Sequence, residues 1–315
     1  AVAALLVAAG HEPADEAAAE LVIVNSCTVR DMAERKAVGK AGHLCATKPL
    51  VGLMGCAVKR MGATVFERLP KLDFAVGPRA FGMIPRILAE GRFPRYEPGD
   101  ADGAPTGLDA HLFAPAAGLP SGLPAASWRA FVTVLVGCDN RCSYCIVPDV
   151  RGHEYSRPAA EVLAEARALV ARGVKEICFL GQSVLRYGRR TPAWPDADAA
   201  WTEPFPRLLA ALCEIEGLER VRFTSAHPKG CTDELVRACR RFPQVCRHMH
   251  LPVQSGSDRV LAEMGRRYTR AEYLAAVKKL RDFDPEFAVT TDVIVGYPGE
   301  TEADFEATRS LMEEA

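Results

Sequence analysis

Three cysteines at spacing C-x3-C-x2-C, Cys138, Cys142 and Cys145, stand in the segment VLVGCDNRCSYCIVP. An apolar, β-branched run from Phe131 to Val136 leads straight into them, so the segment reads as a strand ending in a cysteine-rich loop. Three thiolates at such short range can hold three irons of a cubane [4Fe–4S] cluster. They leave the fourth iron without a protein ligand, which is an open position of the kind catalytic metal sites keep. In radical chemistry S-adenosylmethionine (SAM) can fill that position. The alternative is a structural zinc site. Zinc wants four ligands, usually as two separated pairs, and His153 is a lone nearby candidate.

Around this loop the chain alternates strand and helix in two stretches. In residues 1–91, AVAALLVAAG reads as a helix stopped by Gly10, and residues 30–46 read as a second helix. LVIV, VGLM and FAV read as strands, which predicts an open parallel α/β sheet with helices on both faces. Cys27 and Cys56 each fall just beyond a strand's C-terminal end, the edge where such sheets place ligands. Two buried, inert thiols are the alternative. Residues 92–128 are dense in Pro and Gly and read as a linker. From 129 to 315 five βα units follow, with strands FVTVLV, EICFL, RVRFTS, HMHLPV and VTTDVIV. They predict a partial (β/α) barrel with its chemistry at the strands' C-terminal ends. Those ends carry GCDNRCSYC, GQSVLRYG, SAHP, QSGSD and GYPGET, which would ring one mouth.

Charge narrows the partners. Lys+Arg is 39 against Asp+Glu 40, so nucleic-acid contact must come from local patches. The clusters Arg186/Arg189/Arg190, Arg240/Arg241 and Arg266/Arg267/Arg270 read first as solvated faces. Eleven cysteines, an odd number in a long chain, argue against a disulfide scaffold and for a reducing cytoplasm. No apolar run approaches the ~20 residues that span a membrane. Both ends read as cut from a longer protein.

Taken together, these segments resemble the radical SAM superfamily, whose motif C-x3-C-x-aromatic-C is met with Tyr144 in the aromatic place. Within it they resemble the methylthiotransferase branch. VNSCTVRDMAERKA and GLMGCAVKRMG look like two of the three segments that bind an auxiliary [4Fe–4S] cluster there, which turns the reading of Cys27 and Cys56 from inert thiols to ligands. The third cysteine of that set is absent from this chain. RGHEYSRP, LGQSV, RFTSAHP and HLPVQSGSDRVLAEMGRRYTRAEYL look most like the MiaB type, which acts on N6-isopentenyladenosine beside the tRNA anticodon. Its sister enzymes act on threonylcarbamoyl-adenosine of tRNA or on a ribosomal-protein aspartate. The family's usual GQN reads Gly181-Gln182-Ser183 here.

The resemblance implies two [4Fe–4S] clusters, SAM, the tRNA anticodon loop, and an electron donor such as flavodoxin or ferredoxin. A deoxyadenosyl radical takes hydrogen from adenine C2, and the auxiliary cluster provides a sulfur that a second SAM methylates. It also implies SAM contacts from Gln182, Ser225, Gln254 and Ile294. Tyr144 packs near the SAM adenine or is a buried barrel aromatic. Glu154 and Arg157 contact substrate or form a surface salt bridge. His227 and His250 read as satisfied polar residues, and Cys45, Cys178, Cys213, Cys231, Cys239 and Cys246 as structural. A non-enzymatic iron–sulfur or zinc protein that binds RNA is the reading from a different class.

Overall fold

In the computed structural model, residues 2–99 and 128–315 are described. They divide into two compact units. The first holds the N-terminal residues together with Gly137–Asp139 and Cys145–His153; the second holds residues 128–136, Asn140–Tyr144 and Glu154–Ala315.

In the first unit, helix α1 (Val2–Ala8) precedes β1 (Leu21–Ser26), α2 (Asp31–Leu44), β2 (Leu50–Gly55), α3 (Cys56–Met61), α4 (Val65–Arg68), β3 (Phe74–Val76), α5 (Ile84–Glu90) and β4 (Arg95–Glu97). The strands pair in the order β1-β2-β3-β4, all parallel. Alternate residues feed two cores, as a two-sided sheet requires. Val24, Val51, Leu53 and Ala75 pack with Ala41, Leu44, Ala57 and Val58 on one face. Phe74 and Val76 pack with Ile84, Ile87, Leu6 and Leu21 on the other. The open parallel sheet expected from the sequence is therefore present, with one strand more. Arg95–Glu97 is β4 rather than linker, and the rest of the expected linker, 100–127, lies outside the described residues.

The second unit is built on β5 (Arg129–Thr133), β6 (Leu135–Val136), β7 (Tyr155–Ser156), β8 (Glu176–Leu180), β9 (Arg220–Phe223), β10 (His248–His250) and β11 (Ala288–Thr290). Strands β5-β8-β9 are parallel, as are β10-β11, and a parallel bridge between Val221 and Val245 carries the first set on toward the second. A short helix, α6 (Val147–Arg151), follows the cysteine loop and belongs to the first unit. Then α7 (Ala159–Ala171), α8 (Pro204–Cys213), α9 (Asp233–Arg241), α10 (Asp258–Glu263), α11 (Arg270–Phe283) and α12 (Glu302–Glu314) lie between and after the strands, α10 and α11 both between β10 and β11. The core packs Phe179 and Phe223 edge-on against Phe205 of α8, at ring separations of 6.3 and 5.2 Å, a geometry worth ~0.5–1.5 kcal/mol per pair beyond burial. The expected five βα units are present, with β10 and β11 shorter than HMHLPV and VTTDVIV suggest. Past Thr290 the backbone still pairs through Gln254 and Val293.

Helix starts follow their caps. Thr269 with Glu272 and Thr301 with Asp304 form capping boxes on α11 and α12. The segment QSGSD is also largely architectural. Gly256 N–H donates to Thr308 Oγ1 at 2.8 Å and Ser257 Oγ donates to Asp304 at 2.6 Å. A Cβ on Gly256 would lie 2.3 Å from the Ala307 carbonyl oxygen, so only glycine lets α12 dock there.

Candidate iron–sulfur site

The cysteine loop leaves β6 and returns through β7, which pairs antiparallel with it at Val136↔Tyr155. Each half of the loop is pinned by its backbone. Cys138 N–H donates to the Gly152 carbonyl and Ser143 N–H to the Met264 carbonyl, both at 3.1 Å. Gly137, just before the first cysteine, has φ 81°, and a Cβ there would lie 2.1 Å from the His153 carbonyl oxygen. No other residue fits without moving backbone. His153, the lone zinc candidate, holds Asp139 at 2.6 Å through Nδ1. Among the described residues no three His, Cys, Asp or Glu side chains converge as ligands of a single ion.

Cys142 is buried, and the Arg266 guanidinium donates to its Sγ at 3.5 Å. Arg266 is 7% exposed. The expectation of a solvated face therefore fails for this residue: its other nitrogens are held by Tyr268 Oη at 3.1 Å and the Pro252 carbonyl at 3.0 Å. Tyr144 is 38% exposed and is no buried barrel aromatic. Its phenol stands beside Cys142 and Arg266, and desolvation with the neighbouring thiol pushes its pKa above the usual range despite the cation.

None of the three cysteines of the loop is in a disulfide. A sulfur that accepts a guanidinium N–H is in the setting an iron-bound thiolate wants, with positive charge against negative. The donor set and this contact fit an iron–sulfur cluster.

The parallel strands put the other candidate residues at one set of ends. Gln254 accepts from the Ile294 N–H at 2.8 Å and donates to the Asp292 carbonyl at 2.9 Å, so these two predicted SAM residues are neighbours. Among the described residues positive φ outside glycine occurs at Ser225 (57°), Gln254 (74°) and Arg267 (58°). Two of the three are predicted SAM residues and the third follows Arg266. Left-handed backbone of this kind collects at functional sites, where surrounding structure enforces it. Ser225→Gly should relieve the strain and raise unfolding stability by roughly 0.5–1 kcal/mol, while SAM affinity falls. Urea melts and calorimetric SAM titration read the two effects, and a variant unchanged in both would leave Ser225 no role. Gln182 is half-buried two residues beyond β8, and the departing Ser183 is buried beside it.

His227 reads as expected, its Nδ1 accepting from the Lys229 N–H at 3.3 Å and its ring edge-on to Tyr268. Burial, with Arg266 and Arg186 nearby, lowers its pKa from 6.5 to about 3. The unfolded chain then binds the extra proton between those values, so stability is complete above pH 6.5 and falls as pH drops toward 3. By pH 5 the loss should be on the order of 1–2 kcal/mol, and His227→Gln should flatten it. An equal slope in wild type and variant urea melts between pH 7 and 5 would contradict this.

Arg157 departs from both its expectations, since substrate contact and a surface salt bridge each need a surface. It is 1% exposed, and its Nη1 donates to the Thr133 carbonyl at 2.8 Å and to Glu165 at 2.7 Å. Glu154 is also buried, paired with Arg186 at 2.5 Å rather than in a surface bridge. Three of the thiols read as structural behave so: burial raises Cys213 and Cys239 to about 12 and Cys231 to about 11, which keeps them protonated.

In the first unit, Ser26↔Gly55 is the last register pair of β1 and β2, so Cys27 and Cys56 leave adjacent strands at the same end. Cys27 is exposed and Cys56 is 3% exposed. Arg151 of α6 donates to Cys56 Sγ at 3.3 Å. Arg79, itself buried, donates through Nε to the Arg151 carbonyl at 2.6 Å and through Nη2 to the His153 carbonyl, fixing the end of α6. Neither Arg151 nor Arg266 is marked by the sequence as a partner of a cysteine. Only RGH after the third cysteine and MGRR after α10 hint at them, and arginine pairs usually mean solvated surface.

Comparison with known proteins gives the family and the fold. Residues 132–312 match the radical SAM superfamily, and residues 1–77 match the uncharacterized protein family UPF0004. The tRNA-2-methylthio-N(6)-dimethylallyladenosine synthase of Geobacter sulfurreducens is 44% identical over 321 residues, covering 99% of this chain and 68% of that protein. The protein of the same name from Opitutus terrae is 39% identical over 347 residues, covering 99% and 70%. Among solved structures, the radical S-adenosylmethionine methyltransferase TsrM of Kitasatospora setae, with cobalamin and a [4Fe-4S] cluster bound, reaches TM-score 0.67 at 17% identity, covering 94% of this chain and 62% of that one. The cobalamin-dependent enzyme OxsB, with aqua-cobalamin and S-adenosylmethionine bound, reaches 0.62 at 11% identity, covering 93% and 43%. At such identities the likeness is one of fold.

Proposed function

The chain belongs to the radical SAM superfamily and to its tRNA methylthiotransferase branch, and from that membership we propose that it adds a methylthio group to C2 of N6-isopentenyladenosine beside the tRNA anticodon. The observation that carries this reading is the match to synthases of that name along 99% of the chain. The cysteine loop, the strained strand ends at Ser225 and Gln254 and the buried Arg266 support it. They are the parts a SAM mouth needs and an RNA-binding module does not.

Cys138, Cys142 and Cys145 would hold the SAM-binding [4Fe–4S] cluster, which supplies the electron that opens the sulfonium of SAM. Cys27 and Cys56 would hold an auxiliary cluster as the sulfur source. Gln182, Ser225, Gln254 and Ile294 would seat SAM, and Tyr144, half-exposed beside Cys142, would pack near its adenine. Glu154, buried and paired with Arg186, would act on substrate through that arginine. Adenine C2–H has no leaving group, so polar substitution is closed and a radical route is required. The base must also leave its stack, at a cost of a few kcal/mol that a single-stranded anticodon loop reduces. A flavodoxin or ferredoxin would donate the electron, and the setting would be cytoplasmic. Among the described residues no helix is long and apolar enough to cross a membrane.

Protein reconstituted anaerobically with iron and sulfide, reduced and given SAM, is offered tRNA bearing N6-isopentenyladenosine or threonylcarbamoyl-adenosine. Nucleoside mass spectrometry should find the 2-methylthio product from the first tRNA. Product from the second alone would favour the sister activity, and zinc in place of iron would favour the non-enzymatic reading.

A further inference from the structure

We propose that Arg266 is a positioning residue for the SAM-binding cluster: its buried guanidinium donates a hydrogen bond to the sulfur of Cys142 and thereby makes the cluster easier to reduce. The inference rests on Cys142 being a cluster ligand and goes beyond that reading.

Three observations converge. Arg266 Nη1 lies 3.5 Å from Cys142 Sγ, within hydrogen-bond range for sulfur. The guanidinium is not free to swing away, because Nε donates to Tyr268 Oη at 3.1 Å and Nη2 to the Pro252 carbonyl at 3.0 Å. Tyr268 is in turn fixed by donating to the Val253 carbonyl at 2.6 Å. The planar fork thus ties a cysteine of the loop to the segment after β10 that carries Gln254. The backbone then turns into the left-handed region at Arg267, φ 58°, immediately after this residue. Among the described residues no carboxylate is a hydrogen-bond partner of this guanidinium, so its charge faces the sulfur and two neutral oxygens.

Cluster potentials depend on net charge and on hydrogen bonds to the sulfurs. A thiolate bound to iron becomes more electron-rich when one electron enters the cluster from a low-potential donor, and no proton need follow. A fixed cation with an N–H on that sulfur stabilises the reduced form more than the oxidised one. Arginine suits the role because its fork holds three acceptors at once and stays charged.

The test uses the Cys27→Ala/Cys56→Ala protein, so that the SAM-binding cluster alone assembles, and follows its reduction by electron paramagnetic resonance without SAM. Arg266→Met should be reduced about tenfold less at a given solution potential, a midpoint lower by ~59 mV for one electron. Arg266→Lys should recover part of the shift. Pulsed resonance on the reduced cluster of protein labelled with guanidino-15N arginine should show nitrogen coupling that Arg266→Lys abolishes. This second readout needs no destabilising variant. A wild-type midpoint in Arg266→Met at full iron content, or no arginine coupling in the labelled parent, overturns the role of Arg266. Failure of the parent to assemble a cluster overturns the ligand reading beneath it.

Discussion

Cys142→Ala is expected to abolish 5′-deoxyadenosine formation from SAM, with a loss well beyond the ~100-fold that removal of an outer-shell partner costs a metal site. The cubane would keep two thiolates where three are needed to leave one iron open for SAM. The change also removes the acceptor that Arg266 Nη1 uses, leaving a buried guanidinium with the Pro252 carbonyl and Tyr268 Oη alone. Loss of a charge-assisted partner is worth about 1.5–3 kcal/mol, so lower unfolding stability should accompany the loss of chemistry. Chromatography of deoxyadenosine after reduction with dithionite reads the first effect, and denaturant melts read the second. Sustained deoxyadenosine production by the variant would remove Cys142 from the ligand set.

Much of the scaffold was legible because strand–helix alternation is a local signal. LVIV, VGLM and FAV carry their period in a few residues, and the sheet β1-β2-β3 follows from them. β4 was not legible. RYE is polar, lies in a Pro- and Gly-rich stretch, and becomes a strand only because β3 offers it an edge at Phe74↔Arg95. β7 is likewise two residues long and exists by pairing with β6.

In the site, the cysteines announce themselves by spacing, since three thiols so close have few other uses. The arginines do not. Arg266 reads as one of a basic group, and its burial depends on Tyr268 and on Pro252, 14 residues away. Arg151 meets Cys56 across 95 residues of chain. QSGSD shows the converse. Its wording points to a ligand, yet Ser255, Gly256 and Ser257 serve mainly to seat α12 through Thr308 and Asp304.

The second large effect separates the two cysteine sets. In protein that assembles both clusters, Cys27→Ala should leave SAM cleavage at the wild-type rate and remove the methylthio product. Cys27 and Cys56 continue from the paired ends of β1 and β2, and their surroundings come from that sheet and α6. The hydrogen bonds on Cys142 come instead from Arg266, in the other unit. Loss of a ligand in one set therefore leaves the bonding of Cys142 as it was. Cys56→Ala should act the same way with a larger structural penalty, because Cys56 is buried and takes a hydrogen bond from Arg151. Leaving that guanidinium without its sulfur should lower stability by roughly 1–3 kcal/mol, whereas exposed Cys27 should lose little. Deoxyadenosine and 2-methylthio nucleoside are measured from the same reaction. Should deoxyadenosine fall in Cys27→Ala as far as it does in Cys142→Ala, the two sets would share one duty and the auxiliary assignment would fail.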